Sequence, residues 1–247
     1  MTIDNDKLSR LIKGLEESPT ALVCNAYEFL GMYAPCADSG IAYMTPVLPP
    51  LVGQAVTIKL CFSSSGDEYI AEAERGGMDL FYEMITHAEK AQIQQVCVIQ
   101  VIGEKTRDAV VGDGMAKLMT AAGAVGCITN GAVRDIEGIE KSGLKLFGSG
   151  AAVNVRELNW SGFGEPVAIN GLTINTGDIV HGDRDGIITL PEAGWGRVVE
   201  ACRIVQDFEK AAHVIFRRND ILAFTKKEMV GALVKKYSAL VSALTDE

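Results

Sequence analysis

The 247-residue sequence has no run of 18 apolar residues, which excludes a membrane-spanning helix of ordinary length. Its start, MTIDNDKLSRLIKGLEES, lacks the basic n-region and apolar core of a secretory signal, and a cytoplasmic protein is expected. The six cysteines (Cys24, Cys36, Cys61, Cys97, Cys127, Cys202) contain no C-x-x-C pair, so neither a zinc framework nor a disulfide framework is expected. They read as buried thiols. No segment concentrates Lys or Arg, and the formal net charge is −9, which argues against direct nucleic-acid binding. His87, His181 and His213, the only histidines, fall on unrelated segments and make a poor metal set. There is no Gly-x-Ser-x-Gly elbow, no Walker sequence and no Gly-x-Gly-x-x-Gly turn.

The apolar fraction of 48% supports a sizeable core. One domain over residues 1–247 is expected, with 192–247 a C-terminal helical extension. Residues 6–17 place Leu8, Leu11, Ile12 and Leu15 on one helical face. Ser18-Pro19 then reads as an N-cap followed by Pro at the first position of a second helix, ending near Gly31. A proline-punctuated stretch covers 43–50. Residues 52–62 alternate Val56, Ile58, Leu60 and Phe62 against Thr57, Lys59 and Cys61, a strand with one buried face. Ser63 to Gly66 reads as a loop, 79–92 as a helix and 95–102 as an interior strand. Helices near 114–122 and 136–142 then alternate with strands 125–129 and 145–147, which predicts an α/β layer with some parallel pairing.

Farther on, four short strands (167–169, 172–174, 179–181, 187–190) are separated by Asn170-Gly171, Thr176-Gly177-Asp178 and Asp185-Gly186, a β-hairpin region. Helices over 192–216 and 220–244 close the chain. The second carries Met229, Leu233, Leu240 and Leu244 along one stripe.

The most informative segment is Gly112-Asp113-Gly114-Met115-Ala116, followed after the next strand by Asn130-Gly131-Ala132-Val133-Arg134-Asp135. Each lies between a strand and a helix, where the loops of an open α/β sheet bind ligands. A carboxylate after one strand, with a guanidinium and a second carboxylate after the next, offers oxygen ligands for a hard divalent cation and a cation for an oxyanion. A metal-supported carbanion reaction fits this set. Asp178, Asp183 and Asp185 look like ordinary turn chemistry, and His181 lies in a tight turn beside them. Trp160, Tyr43 and Phe163 read as core, and Arg217-Arg218 as compensation for a helix C-terminus.

Asp113, twenty intervening residues and Arg134-Asp135 together resemble the D-x20-R-D signature of the 4-hydroxy-4-methyl-2-oxoglutarate / 4-carboxy-4-hydroxy-2-oxoadipate aldolases. These class II pyruvate aldolases share their fold with the regulator of ribonuclease activity A. Residues 172–186 resemble the family's V-x-P-G-D-x-V-x-A-D-x-D-G hairpin, and weaker likeness runs from about Thr20 to Leu190. The resemblance implies an α/β, RraA-like domain of the swivelling β/β/α type, with a β-hairpin region and C-terminal helices.

It further implies a lyase that releases pyruvate from a 4-hydroxy-2-keto acid or decarboxylates oxaloacetate with Mg2+ or Mn2+. Asp135 would ligate the metal directly and Asp113 through water. Arg134 would face the keto or enolate oxygen, and the backbone of Gly112, Asp113, Gly114 and Met115 would hold the substrate carboxylate. Glu209 would reach the metal waters of a neighbouring subunit in a homotrimer or hexamer. Ala91 to Gln95 stands where the family has a Pro-Gly-Asp turn, Gly114 where it commonly has Asn, and Thr176 where it has Pro. These departures place the chain in a divergent branch and leave the substrate open. A second reading is a non-catalytic regulator that binds a protein such as an endoribonuclease. A quinone-precursor methyltransferase is disfavoured, because no glycine-rich adenosyl-binding turn follows the first strand.

Overall fold

The structure, a computed structural model, describes residues 5–45, 49–62, 77–103 and 108–245; the loop expected over Ser63 to Gly66 lies outside them. Two helices open the chain, α1 (Asn5–Leu15) and α2 (Thr20–Phe29). The strands β1 (Ala42–Tyr43), β2 (Leu51–Phe62) and β3 (Gln95–Ile102) follow, with α3 (Met78–Lys90) between the last two. Next come β4 (Ala109–Val111), α4 (Asp113–Ala121), β5 (Ala124–Thr129), β6 (Ala132–Val133), α5 (Ile136–Ser142) and β7 (Lys145–Gly148). The remainder is β8 (Leu158–Ser161), β9 (Val167–Ile169), β10 (Leu172–Ile174), β11 (Ile179–Asp183), β12 (Gly186–Thr189), α6 (Val198–Phe216) and α7 (Ala223–Ser242).

The main sheet runs β1-β7-β5-β3-β2-β11-β12. Its centre, β2, β3, β5 and β7, is parallel, as the strand–helix alternation predicts. The long strand β2 serves three partners: β3 along one edge, and β11 and then β8 antiparallel along the other. Contrary to expectation, β2 is buried on both faces. Thr57 is fully buried and its Oγ1 donates to Glu165 O at 2.7 Å, because the chain around the β9–β10 hairpin covers the second face.

Three apolar clusters follow from this layout. Val56, Ile58 and Leu60 meet α3, α4 and α5 around Trp160 and Phe81. Leu51, Ala55, Val96 and Val98 meet the β9–β10 hairpin. Val52, Ile179 and Ile188 meet α1, α2 and α6. Asn170 and Gly171 turn the hairpin with φ of 43° and 83°, the paired positive values of a type I′ turn.

Three local expectations are corrected. Pro19, not Ser18, is the N-cap of α2, because the amide of Thr20 is satisfied from across the fold by Asp183 Oδ2 at 2.8 Å. The first closing helix begins at Val198, after a 3-10 turn at Glu192–Gly194 whose Gly194 lies against the ring of Tyr27, where a side chain would collide. The second begins at Ala223, since Asp220 is drawn into a bidentate pair with Arg218. All six cysteines carry free thiols, yet Cys36 is exposed and Cys24 half-buried. Burial pushes the Cys97 and Cys202 thiols up to about 12, so the interior ones are inert. Among the described residues no helix is long and apolar enough to cross a membrane.

Candidate functional site

At the carboxyl end of β5 the chain leaves the main sheet. Asn130, almost fully buried, makes this possible by taking over the pairing of β3: its Oδ1 accepts from Val101 N at 2.6 Å and its Nδ2 donates to Val101 O at 3.2 Å. Gly131 follows because any side chain there would drive into Val110 and Val101. The freed segment then forms a separate two-stranded parallel sheet of β4 and β6, both buried. Arg134 N donates to Val111 O at 2.9 Å, which fixes the two expected functional loops side by side.

Gly112 is the N-cap of α4 and Asp113 its first residue. A β-carbon at Gly112 would lie 3.0 Å from Asp135 Oδ2 and 3.3 Å from Arg134 Nε. Glycine here permits the Arg134-Asp135 pair to fold over the start of α4. Gly138 of α5 makes the complementary approach, its absent β-carbon 2.7 Å from the Asp113 β-carbon. Asp113, Arg134 and Asp135 are thus brought together around Gly112, while Arg134 Nε and Asp135 Oδ2 stand 3.4 Å apart. All three side chains are partly open to solvent, between 38% and 48% exposed, so a ligand can reach them.

Asp135 occupies the left-handed region, with φ of 56° and ψ of 38°, at the N-cap of α5. Aspartate tolerates this conformation better than most residues, but at some cost, and such outliers cluster at functional sites. Lys117 is a residue the sequence reading passed over. Its Nζ sits 2.5 Å from Asp113 Oδ2, one turn along α4. The hydrogen bond and charge of Lys117, with smaller help from the Gly114 amide and Arg134, hold the Asp113 carboxyl below its usual range. The i, i+4 spacing was the available signal. A second ion pair was also missed, Arg156 Nε to the buried Asp108 Oδ2 at 2.8 Å, at the end of β4 away from Gly112.

The turn expected to bind substrate is mixed in character. Gly114 is exposed and a β-carbon there would meet nothing, so its backbone is open to a ligand, whereas Met115 turns its side chain onto the core. Glu209 stands elsewhere in this chain, on α6, where its Oε1 accepts from Asn25 Nδ2 at 2.9 Å. His181 is fully buried, with Nδ1 3.0 Å from Thr20 Oγ1 and Nε2 3.3 Å from Leu15 O, a structural post. Asp178 and Asp183 accept from backbone amides in their turns.

Among the described residues no group of three or more His, Cys, Asp or Glu side chains is poised around a metal position. The donor set at Gly112 is two carboxylates. That set fits Mg2+ or Mn2+, hard cations that keep much of their water shell, and does not fit a zinc cage.

These features define an α/β protein with a carboxylate–guanidinium site built on two loops that follow parallel strands. The chain belongs to the RraA-like (Aldolase/RraA) family, whose model matches residues 20–189. It is 25% identical over 217 residues to protein DlpA of Legionella pneumophila, covering 85% of this chain but 32% of that protein, so it spans about a third of that relative's length. It is 26% identical over 182 residues to a protein of Halalkalibacterium halodurans provisionally named a 4-hydroxy-4-methyl-2-oxoglutarate aldolase, covering 71% of this chain and 79% of that one. Streptomyces coelicolor RraAS2, described as an unusual member of the RNase ES inhibitor RraA family, superposes with a TM-score of 0.65 at 19% identity, over 83% of this chain and 96% of that one. At that identity the likeness speaks for the fold.

Proposed function

We propose that the protein is a divalent-metal-dependent carbon–carbon lyase that acts on a small 2-keto acid. One observation carries this reading: Asp113, Arg134 and Asp135 are gathered around Gly112 at an open, solvent-reachable loop pair, with Asp135 in a strained backbone conformation. A site needed only for protein recognition has no use for two carboxylates and a guanidinium at one such point. The family also includes a relative provisionally named for this chemistry.

Asp135, with Asp113 behind it, would hold Mg2+ or Mn2+, which would supply an electrophile for the keto oxygen and acidify bound water. Arg134 presents its guanidinium where negative charge develops as a pyruvate enolate forms. The open backbone at Gly112 to Met115 binds the substrate carboxylate at the start of α4. Lys117 keeps Asp113 ionised. Retro-aldol cleavage and oxaloacetate decarboxylation would use these groups alike, since each leaves the same enolate. The site is half-exposed in one chain. A homotrimer or hexamer, in which Glu209 of a neighbour closes the site, would complete it.

The test is pyruvate release from 4-hydroxy-4-methyl-2-oxoglutarate and from oxaloacetate, in parallel, with Mg2+ or Mn2+ and with excess EDTA. Metal-dependent pyruvate that disappears in Asp135→Ala is expected. No pyruvate above the metal-only background from either substrate would remove this reading, and would favour the regulator seen in the fold's other named members. In that case metal-independent capture of an endoribonuclease is the measurement that follows.

A further inference from the structure

Helix α1 and the start of α6 pack together at a tight crossing. Gly14 makes it possible, since a β-carbon there would lie 2.8 Å from Val199 Cγ1. Beside the crossing the two elements leave a pocket of about 260 Å3. One wall comes from α1, where Lys7, Arg10 and Leu11 recur at intervals of three and four residues and so share a face with Gly14. The other comes from Trp195, just ahead of α6, with Val199 and Arg203 one turn apart on the helix. Both walls fall outside residues 20–189, the part matched by the family model, so the pocket belongs to this chain's flanking segments.

The lining divides into a ring, an apolar part and a set of cations. Leu11 is buried, and Val199 and Trp195 are partly buried with it in one apolar cluster. Trp195 Nε1 donates to Leu190 O at 3.0 Å, so its one polar group is spent and it offers the pocket ring surface. Lys7, Arg10 and Arg203 supply three positive charges, and among the described lining residues there is no carboxylate. Arg10 Nε donates to a neutral group, Asp6 O at 3.3 Å, and Arg203 gives Nη1 to Glu200 at 2.8 Å. On a chain of net charge −9 this convergence is costly. Like charges about one turn apart repel, and Lys7 stands in the first turn of α1, where the helix dipole disfavours a cation.

We infer that this pocket binds a free nucleoside diphosphate, the planar base against the Trp195 ring and the phosphates between Lys7, Arg10 and Arg203. Ring and charge select this ligand together. A bare oxyanion leaves the ring surface unused, and an apolar ligand leaves three cations facing one another, whereas a planar polyanion satisfies both. Two guanidinium forks match phosphate oxygens, lysine adds a compact point charge, and three cations suit a diphosphate better than a single carboxylate. An aromatic face stacks any base, so the lining selects the class of ligand and not the base. The pocket belongs to the apolar cluster of α1, α2 and α6, while the Gly112 site borders the cluster of α3, α4 and α5. The inference is therefore independent of the lyase reading.

The experiment is a titration of the full chain with ADP, followed by tryptophan fluorescence in excess EDTA, which removes any binding through a cation at Asp135. Of the two tryptophans Trp160 is fully buried, so Trp195 is the reporter. Saturable quenching is expected. In Lys7→Glu with Arg10→Glu, both exposed positions, binding should weaken by a factor on the order of 100, with unchanged far-UV circular dichroism as the check on folding. Lys227→Glu with Lys235→Glu makes the same change in net charge on α7, outside the pocket, and should titrate like wild type. Adenosine and pyrophosphate should each displace ADP only at concentrations roughly tenfold higher or more, since each keeps one half of the recognition. Absence of saturable quenching overturns the proposal. So does equal weakening in the α7 variant, which would reduce the effect to overall charge. Displacement by pyrophosphate at the concentration where ADP itself binds would also overturn it, leaving an oxyanion site in which the ring has no part.

Discussion

Lys117 and Asp113 form an ion pair at 2.5 Å one turn apart on α4, and this pair stands directly behind Arg134 and Asp135. The lysine biases the aspartate toward the ionised form that both a metal and a proton relay require. Lys117→Met should therefore raise the Asp113 carboxyl back toward its ordinary value, and lyase activity should become more sensitive to acid than in wild type. A pH–rate profile with NMR titration of the Asp113 side chain checks this. An acid limb that does not move would separate the lysine from the reaction.

Arg134 presents a planar fork beside Asp135, and lysine in its place keeps the charge without the fork. Arg134→Lys is expected to lower kcat/KM by a factor on the order of 100 to 1,000, with the melting temperature unchanged. Turnover equal to wild type would remove Arg134 from the site.

Gly112 tests the site's geometry without altering any functional group. Its backbone is extended, so alanine is conformationally acceptable, but the added methyl would sit 3.0 Å from Asp135 Oδ2 and 3.3 Å from Arg134 Nε. Gly112→Ala should fold normally and lose most of its activity. Metal affinity by isothermal titration should fall with it, whereas Gly114→Ala, with nothing near its β-carbon, should leave affinity nearly unchanged.

Gly131 is a packing requirement of a different kind. Gly131→Ala would drive a methyl into Val110 and Val101 where the chain leaves the main sheet after β5, and overpacking of this sort costs about 1–3 kcal/mol. A melting temperature lower by several degrees is expected, and unaltered stability would show that β4 can move aside.

His181 governs acid stability. Burial is the main reason its pKa falls to about 4 from 6.5, so the fold holds it neutral. A depressed histidine binds fewer protons folded than unfolded. Its neutral post is therefore fully compatible with the fold above pH 6.5 and increasingly costly as pH falls toward 4, to a total of about 3 kcal/mol. Urea midpoints between pH 7 and 4.5 should decline in wild type and decline less in His181→Gln. Parallel declines would place the acid sensitivity elsewhere.

How much of this was legible in the sequence depended on distance along the chain. The Asn170-Gly171 hairpin, the parallel centre of the sheet and the Asp113, Arg134, Asp135 grouping rest on local patterns and motif spacing, and all appear in the structure. Strands β4 and β6 escaped notice because three and two buried residues are too short to show a period. Thr57 misled for a related reason: a hydroxyl in an alternating strand reads as solvent-facing until a remote backbone carbonyl, Glu165 O, is known to take its proton. Cys36 reads as a buried thiol beside Pro35, yet it lies exposed at the edge, 3.7 Å from Tyr33 Oη.

The carboxylate that satisfies the first amide of α2 belongs to Asp183, 163 residues later. On a ribosome adding about 5–20 residues per second, the opening helix pair waits roughly 8–30 s before the strand that caps it has been made. This helix pair is thus among the later parts of the fold to be secured. Its apolar stripe, Leu8, Leu11, Ile12 and Leu15, belongs to a cluster that also takes in Val198, Ala201 and Val205 of α6, made later still, so this part of the core closes only once the C-terminal helices are in place.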